Sequence, residues 1–406
     1  MAYDIHRLLS AVLKFDASDL VLKADSPPLF RVYGEMIPID AEPLTQVSIS
    51  ALIESLLTPQ QREVFQRDLE LDFSYEVPGV SRFRVNVFQQ RGNMGLVARS
   101  IPFEIRTMEE IGLPAVCKSF CERPRGLVLM TGPTGSGKST SLASMINYIN
   151  HQRAEHIVTI EDPIEYVYED DKSLINQREL GTDTHSFAQA LKHVLRQDPD
   201  VILVGEMRDL ETIALAITAA ETGHLVFATL HTTDAIQTVD RIIDVFPTHQ
   251  QQQIRVQLAV NLVGVVSQVL LKRADGNGRV AAFEAMVATS AVRNLIREGK
   301  TFQLGSIIQT GARQGMIDLD QSLARLAAYE VVELDIARDK STDHGQFDQY
   351  FSHYQSERLA QQHAGASASA HPAQSGSDGV GTPASTGTAA PVTAAPASAS
   401  PVRHQQ

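Results

Sequence analysis

The hydrophobic pattern divides the chain into two regions with different periodicities. Residues 5–13 place apolar side chains at helical spacing between charged ones, which predicts an amphipathic helix. Short runs that alternate apolar and polar residues follow, among them SRFRVNVFQQRG at 81–92, and prolines and glycines separate them. Paired alternating runs around such turns predict an antiparallel α+β domain over residues 1–105.

From about residue 106 the pattern changes to short, continuous apolar runs between helical patterns. The runs LVLMTG, HIVTIED, VILVGE and HLVFATL follow one another within 106–340. Continuous apolar strands that alternate with helices are typical of a parallel sheet covered on both faces. After Pro247 the pattern is almost wholly helical, so we predict that this α/β domain ends in a small helical subdomain.

The C-terminal part of the chain has a different composition. We predict a helical extension or linker over 341–363. From residue 364 to 406 the chain is mostly Ala, Ser, Gly, Pro and Thr, without Leu, Ile or Phe. Such a segment buries too little apolar surface to offset the entropy of ordering, so we expect a disordered tail.

Composition and charge exclude several classes of protein. With 43% apolar residues in 406, the chain can form a sizeable core in about two or three domains. The net charge of −13 argues against a nucleic-acid partner. Cys117 and Cys121 are the two cysteines, too few for a disulfide scaffold or a four-cysteine zinc site. No run reaches the ~18 uninterrupted apolar residues of a spanning helix, so we expect a cytoplasmic protein.

The strongest chemical motif is a glycine-rich loop between an apolar run and a helical pattern, which fits G-x-x-x-x-G-K-[ST]. Its glycines let successive N–H groups face phosphate oxygens, and the helix N-terminus favours negative charge. We expect Lys138 to reach the β- and γ-phosphates of ATP and the Ser139 hydroxyl to bind Mg²⁺. The residues predicted to bind nucleotide here are Gly132, Pro133, Thr134, Gly135, Ser136, Gly137, Lys138, Ser139 and Thr140.

Carboxylates follow two of the later apolar runs, and hydrolysis needs a carboxylate that orients water. Glu206 ends VILVGE, whereas Glu161 and Asp162 end HIVTIED, with Glu165 three residues further. Because parallel strands end at one edge of a sheet, we predict Glu206 and Glu161 as catalytic groups and Asp162 and Glu165 as nucleotide neighbours. A surface carboxylate or a helix N-cap is the alternative, above all for Asp162 before Pro163.

Two histidines flank the run LVFATL. His224 precedes it and His231 follows it. A histidine at a strand end can hydrogen-bond a phosphate, but a lone histidine is more often a satisfied polar group. Spacing alone leaves both histidines undecided.

Four ordered blocks resemble the secretion-type ATPase superfamily, and within it the type IV pilus retraction ATPases. They are TGPTGSGKST at 131–140, TIEDPIEY at 159–166, LRQDPDVILVGEMRD at 195–209 and TGHLVFATLHTTDA at 222–235. In the family these are the phosphate loop, the aspartate box, an atypical Walker B segment and the histidine box. The resemblance implies that Gly205 replaces the usual Walker B aspartate and that Glu206 is the catalytic carboxylate, which approaches Mg²⁺ through water. It also implies that His224, His231 and Arg196 lie near the nucleotide.

The resemblance further implies an architecture and a retraction motif. The expected chain has a PAS-like N-terminal domain and a RecA-like ATPase domain, assembles as a homo-hexamer, and directs Arg84 and Arg99 at the phosphates. The segment at 291–298 resembles the retraction motif AIRNLIRE, with Val292 in place of isoleucine. The motif residues are Arg293, Asn294, Leu295, Ile296, Arg297 and Glu298.

The function implied by the resemblance is an ATP- and Mg²⁺-dependent motor that powers pilus retraction and twitching motility. It would act at the inner face of the cell membrane through an inner-membrane platform protein. An accessory retraction ATPase that works with a paralogue stays open, because Ser141 and Tyr166 match that paralogue equally well. A pilus-extension or type II secretion ATPase is less favoured, since those proteins usually have a longer N-terminal region and a four-cysteine zinc module.

Overall fold

The computed structural model describes residues 3–15, 17–32, 35–101 and 104–368, with the backbone alone for 363–368. Its helices and strands in chain order are α1 (Ile5–Lys14), β1 (Ala17–Leu22), β2 (Leu29–Val32), β3 (Glu35–Pro38), α2 (Gln46–Glu54), α3 (Pro59–Asp68), β4 (Glu70–Val77), β5 (Ser81–Gln90), β6 (Asn93–Ile101), α4 (Val116–Cys121), β7 (Gly126–Thr131), α5 (Lys138–Gln152), β8 (His156–Glu161), β9 (Leu174–Glu179), α6 (Phe187–Val194), β10 (Val201–Val204), α7 (Leu210–Glu221), β11 (Leu225–Leu230), α8 (Ala235–Asp244), α9 (Thr248–Asn261), β12 (Leu262–Lys272), β13 (Arg279–Val287), α10 (Ser290–Glu298), α11 (Leu304–Thr310), α12 (Leu319–Ala328), α13 (Leu334–Asp339) and α14 (His344–Ala368).

The first sheet is six-stranded and antiparallel, in the order β3-β2-β1-β6-β5-β4. Strand β5 alternates buried and more exposed residues over most of its length, because one face of the sheet is covered by helices and the other is not. Helix α1 buries Ile5, Leu9 and Val12 in the core of this sheet. The predicted PAS-like α+β domain is confirmed.

The second sheet has seven strands in the order β13-β12-β7-β11-β10-β8-β9. All neighbours are parallel except β12 and β13, which are antiparallel. Strands β7, β10 and β11 are buried along their whole length, since helices cover both faces. These strands are the predicted apolar runs, and the RecA-like α/β class is confirmed.

The prediction that the chain is almost wholly helical after Pro247 was wrong for Leu262–Val287. This segment forms β12, which pairs with β7, and β13 at the edge of the sheet. Residues 262–268 are all buried, so the strand shows no alternation of apolar and polar positions. A continuous apolar run that follows a helix cannot be distinguished from more helix by periodicity alone. The remainder, α10 to α14, is helical as expected.

The chain up to Arg358 forms one compact unit, and Leu359 onward forms a second. Both sheets lie in the first unit, so the boundary near residue 105 stays a prediction. Helix α14 runs to Ala368, five residues into the segment predicted to be a tail from 364. Residues 369–406 lie outside the described part. Among the described residues, no helix combines the length and apolar character that a membrane crossing needs.

Candidate nucleotide-binding site

The predicted phosphate loop joins the carboxyl end of β7 to the start of α5 at Lys138. Three of its glycines have positive φ, +140° at Gly132, +78° at Gly135 and +89° at Gly137, which non-glycine residues rarely adopt. A Cβ atom on Gly132 would also lie 2.3 Å from the Gln268 carbonyl oxygen. The loop can therefore close tightly only because these positions have no side chain.

The Lys138 side chain folds back along this loop. Its Nζ donates to the carbonyl oxygens of Gly132, at 2.8 Å, and Pro133, at 3.1 Å. Burial lowers the pKa of Lys138, while the nearby Glu206 and Glu165 act to raise it. The ammonium group therefore lies where the loop, the helix N-terminus and two carboxylates meet.

A cavity of 1010 Å³ opens beside the loop, at the carboxyl ends of the parallel strands. Six of the nine residues predicted from the phosphate loop line it, and so do the three carboxylates of the aspartate box. The loop residues Gly132, Pro133 and Ser136 do not line it. The predicted residues on its wall are Thr134, Gly135, Gly137, Lys138, Ser139, Thr140, Glu161, Asp162, Glu165, Glu206 and His231. The cavity is large enough for a nucleoside triphosphate, since ligand pockets usually measure about 300–1,000 Å³.

Glu206 follows β10, and each of its carboxylate oxygens has a basic side chain within hydrogen-bonding distance. Its Oε1 lies 2.9 Å from His231 Nε2, and its Oε2 lies 2.7 Å from an Arg208 guanidinium nitrogen. Burial acts to raise the pKa of Glu206, but the Arg208 hydrogen bond and the charge of His231 outweigh it, so the pKa lies below its ordinary value. Glu206 is thus an ionised acceptor at neutral pH.

Glu161, at the end of β8, has the opposite electrostatic environment. Its Oε1 accepts hydrogen bonds from Thr159 Oγ1 at 2.6 Å and Gln177 Nε2 at 3.1 Å. Both donors are neutral, so no cation offsets the cost of burying the charge. Burial raises the pKa of Glu161 to about 7. The two predicted catalytic carboxylates therefore differ in charge state near neutral pH.

Gly205 follows β10 and packs against the end of β8. A Cβ atom there would lie 3.0 Å from the Ile160 carbonyl oxygen and 3.2 Å from Glu161 Cα. The Gly205 N–H donates to that same Ile160 oxygen at 2.7 Å. The close approach leaves little room for the aspartate of an ordinary Walker B segment.

The chemistry of the site fits Mg²⁺ held jointly with phosphates. Within the described ranges, no three His, Cys, Asp or Glu side chains cluster as a ready-made metal site. Mg²⁺ is commonly bound by one or two protein oxygens together with substrate phosphates and water. The Ser139 hydroxyl lines the cavity together with Glu161 and Glu206, which supplies hard oxygen donors of the kind this ion prefers.

Two residues expected near the nucleotide lie at the opposite edge of the sheet. His224 precedes β11, its carbonyl accepts from the Gly126 N–H at the start of β7, and its Nδ1 lies 2.9 Å from the Ala219 carbonyl. Arg196 is exposed in the turn before β10. Neither residue lines the cavity, because strands β7, β10 and β11 run from these residues toward the phosphate loop. The predicted approach of His224 and Arg196 to a nucleotide stays a prediction.

The predicted N-terminal arginines lie outside the cavity formed by the described residues. Arg84 and Arg99 are paired neighbours on β5 and β6. The Arg99 side chain is 67% exposed, and its Nε lies 2.8 Å from Asp19 Oδ1. Their predicted approach to the phosphates stays a prediction.

Sequence reasoning missed the contact between the two sheets. Arg82 of β5 lies 2.8 Å from a carboxylate oxygen of Glu179 at the end of β9. Glu179 also accepts from Ser74 Oγ of β4, at 2.9 Å, and from the Ile164 N–H in the aspartate box, at 3.2 Å. Arg82 belongs to an alternating strand face that the sequence does not distinguish from solvent-facing positions.

The retraction-motif segment forms α10, with Val292 and Ile296 buried. The Arg293 guanidinium donates to the carbonyls of Ala288, Val260 and Leu262. Arg293 therefore fastens α10 to the junction of α9 and β12. Asn294 and Glu298 hydrogen-bond each other on the exposed side, at 2.9 Å. The functional role of the segment stays a prediction.

A glycine-rich phosphate loop on a parallel sheet, with an ionised carboxylate at the end of another strand of the same sheet, is characteristic of P-loop nucleotide-binding proteins. Residues 106–303 match the family model described as type II/IV secretion system protein. The chain belongs to this secretion ATPase family, on the branch that contains the pilus retraction ATPases.

Similarity extends well beyond the family core. The type IV pilus retraction ATPase PilT of Pseudomonas aeruginosa is 53% identical over 338 residues, which cover 83% of this chain and 98% of that protein. The pilus ATPase PilU of the same organism is 41% identical, over 80% of this chain and 85% of PilU. A crystal structure of the retraction motor PilT with bound ADP superposes with a TM-score of 0.81 at 46% identity, over 86% of this chain and 99% of that one.

Proposed function

We propose that this chain is an ATP-hydrolysing motor that powers type IV pilus retraction and twitching motility. The proposal rests on one observation: residues of the phosphate loop and Glu206 line the same 1010 Å³ cavity. The similarity to PilT along nearly its whole length supports retraction as the work performed.

In this proposal, different groups of the cavity bind the phosphates, hold Mg²⁺ and orient the attacking water. The loop N–H groups and Lys138 would bind the phosphates, and the Ser139 hydroxyl would hold Mg²⁺, which neutralises developing charge on the phosphoryl group. Glu206 would accept a hydrogen bond from the attacking water, since its lowered pKa keeps it ionised. His231 and Arg208 fix the direction of both carboxylate oxygens. A fixed acceptor orients water at little entropic cost.

The assembly proposed for this function is a homo-hexameric ring. Arg84 and Arg99 would reach the phosphates when the N-terminal sheet closes on the nucleotide, and the added positive charge would stabilise the transition state. The ring would act at the inner face of the cell membrane, through an inner-membrane platform protein and without contact with nucleic acid. The AIRNLIRE-like helix is proposed as part of the retraction machinery.

An accessory retraction ATPase that assembles with a paralogue is the second candidate. Ser141 and Tyr166 favour it, and the similarity to PilU covers most of this chain. The higher identity to PilT favours the primary motor.

The proposed function is tested with Glu206→Gln in the purified chain and in the source cells. The amide retains the shape of the carboxylate but is a poorer acceptor for water. We expect ATP hydrolysis to fall at least ~100-fold, as for loss of a catalytic group, while ADP binding is retained. Glu211→Gln, at an exposed position in the first turn of α7, is the matched control and should hydrolyse ATP normally.

The cellular count of surface pili separates the candidates. Cells with the Glu206→Gln copy should accumulate pili and lose surface motility, since extension continues without retraction. Loss of pili would instead assign the protein to assembly. An unchanged count together with normal motility would contradict the primary-motor role and favour the accessory one.

A further inference from the structure

We propose that Gln268, on β12, is a positioning residue that sets the phosphate loop for binding, an inference that rests on the proposed function of the same cavity. Gln268 is 3% exposed. Its Nε2 donates to the Ser136 carbonyl oxygen in the loop, and its Oε1 accepts from Ser141 Oγ on α5 at 2.7 Å. One amide therefore bridges the loop and the helix that follows it.

Because of the geometry of the peptide unit, the hydrogen bond from Gln268 to the Ser136 carbonyl also sets the direction of the Gly137 N–H. In a trans peptide the C=O and the next N–H point in opposite directions from one plane. Because the Ser136 carbonyl is drawn toward β12, the Gly137 N–H is directed away from β12. In the described part of the chain this N–H makes no backbone hydrogen bond. It is thus available for an oxygen on the inner side of the loop, where a phosphate binds.

Strand β12 also limits how the loop can move. The ideal Cβ of Gly137 would lie 2.9 Å from Gln268 Nε2, and that of Gly132 would lie 2.3 Å from the Gln268 carbonyl oxygen. Both glycines therefore pack directly on this one residue. A loop held at both ends by the same neighbour has little freedom to rotate its peptides, so less entropy is lost when phosphate binds.

Ser141 fixes which end of the Gln268 amide faces the loop. A hydroxyl that donates to Oε1 leaves Nε2 for the Ser136 carbonyl, and the reverse orientation would set two acceptors against each other. Ser141 thus belongs to the same hydrogen-bonded unit as Gln268 and the Ser136 carbonyl. Ser141 is buried, so its hydroxyl bonds within the protein and not to bulk solvent.

The first test compares Gln268→Met with Ser267→Ala in the full chain. Methionine has similar length but neither donates nor accepts strongly. Ser267 is equally buried on the same strand and bonds Thr131 of β7 at 2.8 Å, so its loss controls for general weakening of the β7–β12 pair. We expect Gln268→Met to raise the Kd for ADP about tenfold. This is the effect of losing about one hydrogen bond to a charged group, here the bond from the Gly137 N–H to a phosphate oxygen. Ser267→Ala should bind ADP like the wild type, even though both variants lower the Tm.

A second comparison separates positioning from folding. In steady-state assays the KM of Gln268→Met for ATP should rise far more than its kcat falls. Ser141→Ala should raise the Kd for ADP less than Gln268→Met does, and should add nothing in the Gln268→Met background. If Gln268→Met does not fold, Gln268→Glu replaces it, since the carboxylate still accepts from Ser141 but repels the Ser136 carbonyl.

The outcomes are distinct from those of the proposed function. A Gln268 variant that is folded and binds ADP as tightly as the wild type would overturn the inference, and so would additive effects of the Ser141 and Gln268 changes. If the wild-type chain itself does not bind ADP, the proposed function fails first.

Discussion

At the scale of single residues, the site contains two carboxylates whose pKa values are shifted in opposite directions. Glu206 has His231 and Arg208 within hydrogen-bonding distance, and its pKa lies below the ordinary value. Glu161 has neutral partners and a pKa raised to about 7 by burial. Glu206 is therefore suited to accept a hydrogen bond from water at all physiological pH values. Glu161 is suited to change its charge within that range.

The raised pKa of Glu161 makes the stability of the fold depend on pH. Its pKa is about 7 when folded and near 4.5 when unfolded, so between these values the folded state binds more protons. The free energy of unfolding should therefore fall as pH rises from 4.5 to about 7, by up to about 1.4 kcal/mol per pH unit for one such group. Glu161→Gln removes this contribution while keeping an oxygen for Thr159 and Gln177, so its profile should be flatter in urea denaturation.

Glu284 provides an independent check on this prediction. It is buried, accepts from the Ala235 N–H at 2.7 Å, and has its pKa raised to about 7 by burial. Glu284→Gln should flatten the profile by a similar amount, and the double variant should be flattest. A Glu161→Gln variant with the wild-type slope would contradict the assignment.

At the scale of elements, the phosphate loop contains a matched pair of glycines. Gly132 and Gly135 both have positive φ, but a Cβ on Gly132 meets the Gln268 carbonyl at 2.3 Å, whereas one on Gly135 meets nothing within 4 Å. We expect Gly135→Ala to cost only about 1 kcal/mol of backbone strain. Gly132→Ala must displace β12 or the loop and should abolish measurable ADP binding.

The measurements are the Tm and the Kd for ADP of both variants. Comparable ADP binding by the two would show that contact with β12 does not constrain the loop. Such a result would also weaken the proposed role of Gln268, because both arguments depend on the same packing.

The same elements show what sequence could predict. Strands β7, β8, β10 and β11 are short apolar runs bounded by motifs, so their positions and the edge that unites Lys138 with Glu206 were predictable. Strand β12 is equally apolar but directly follows helix α9, so no turn residue marks its start. Without knowledge of that strand, Gln268 is not distinguished from a polar residue within a helix. Its role depends on pairing with β7, which lies more than a hundred residues earlier.

At the scale of the whole molecule, the two sheets are joined at Glu179. Arg82 and Ser74 of the first sheet both bond its carboxylate, which also accepts from the Ile164 N–H beside the nucleotide cavity. This joins the N-terminal sheet directly to the aspartate box. The sequence could not single out Arg82, because its partner is 97 residues away and Arg84 shares its strand face.

Arg82 and Arg84 therefore form a matched pair for separating structure from catalysis. Glu179 has a side chain that is 5% exposed, and Arg82 one that is 20% exposed. Arg82→Ala leaves this carboxylate buried without its cation, which should lower the free energy of unfolding by about 3–5 kcal/mol. Arg84 is exposed, so Arg84→Ala should change stability by less than about 0.5 kcal/mol.

The ATPase assay then distinguishes the two roles. If Arg84 reaches the phosphates in the closed ring, the Arg84→Ala variant should lose most of its kcat while its Tm is unchanged. The Arg82→Lys variant keeps a cation for Glu179 and should retain most of its ATPase activity. A fully active Arg84→Ala chain would remove Arg84 from the proposed mechanism. In that case the aspartate box would sense closure of the N-terminal sheet through Arg82 and Glu179, because this is the contact that already spans the two sheets.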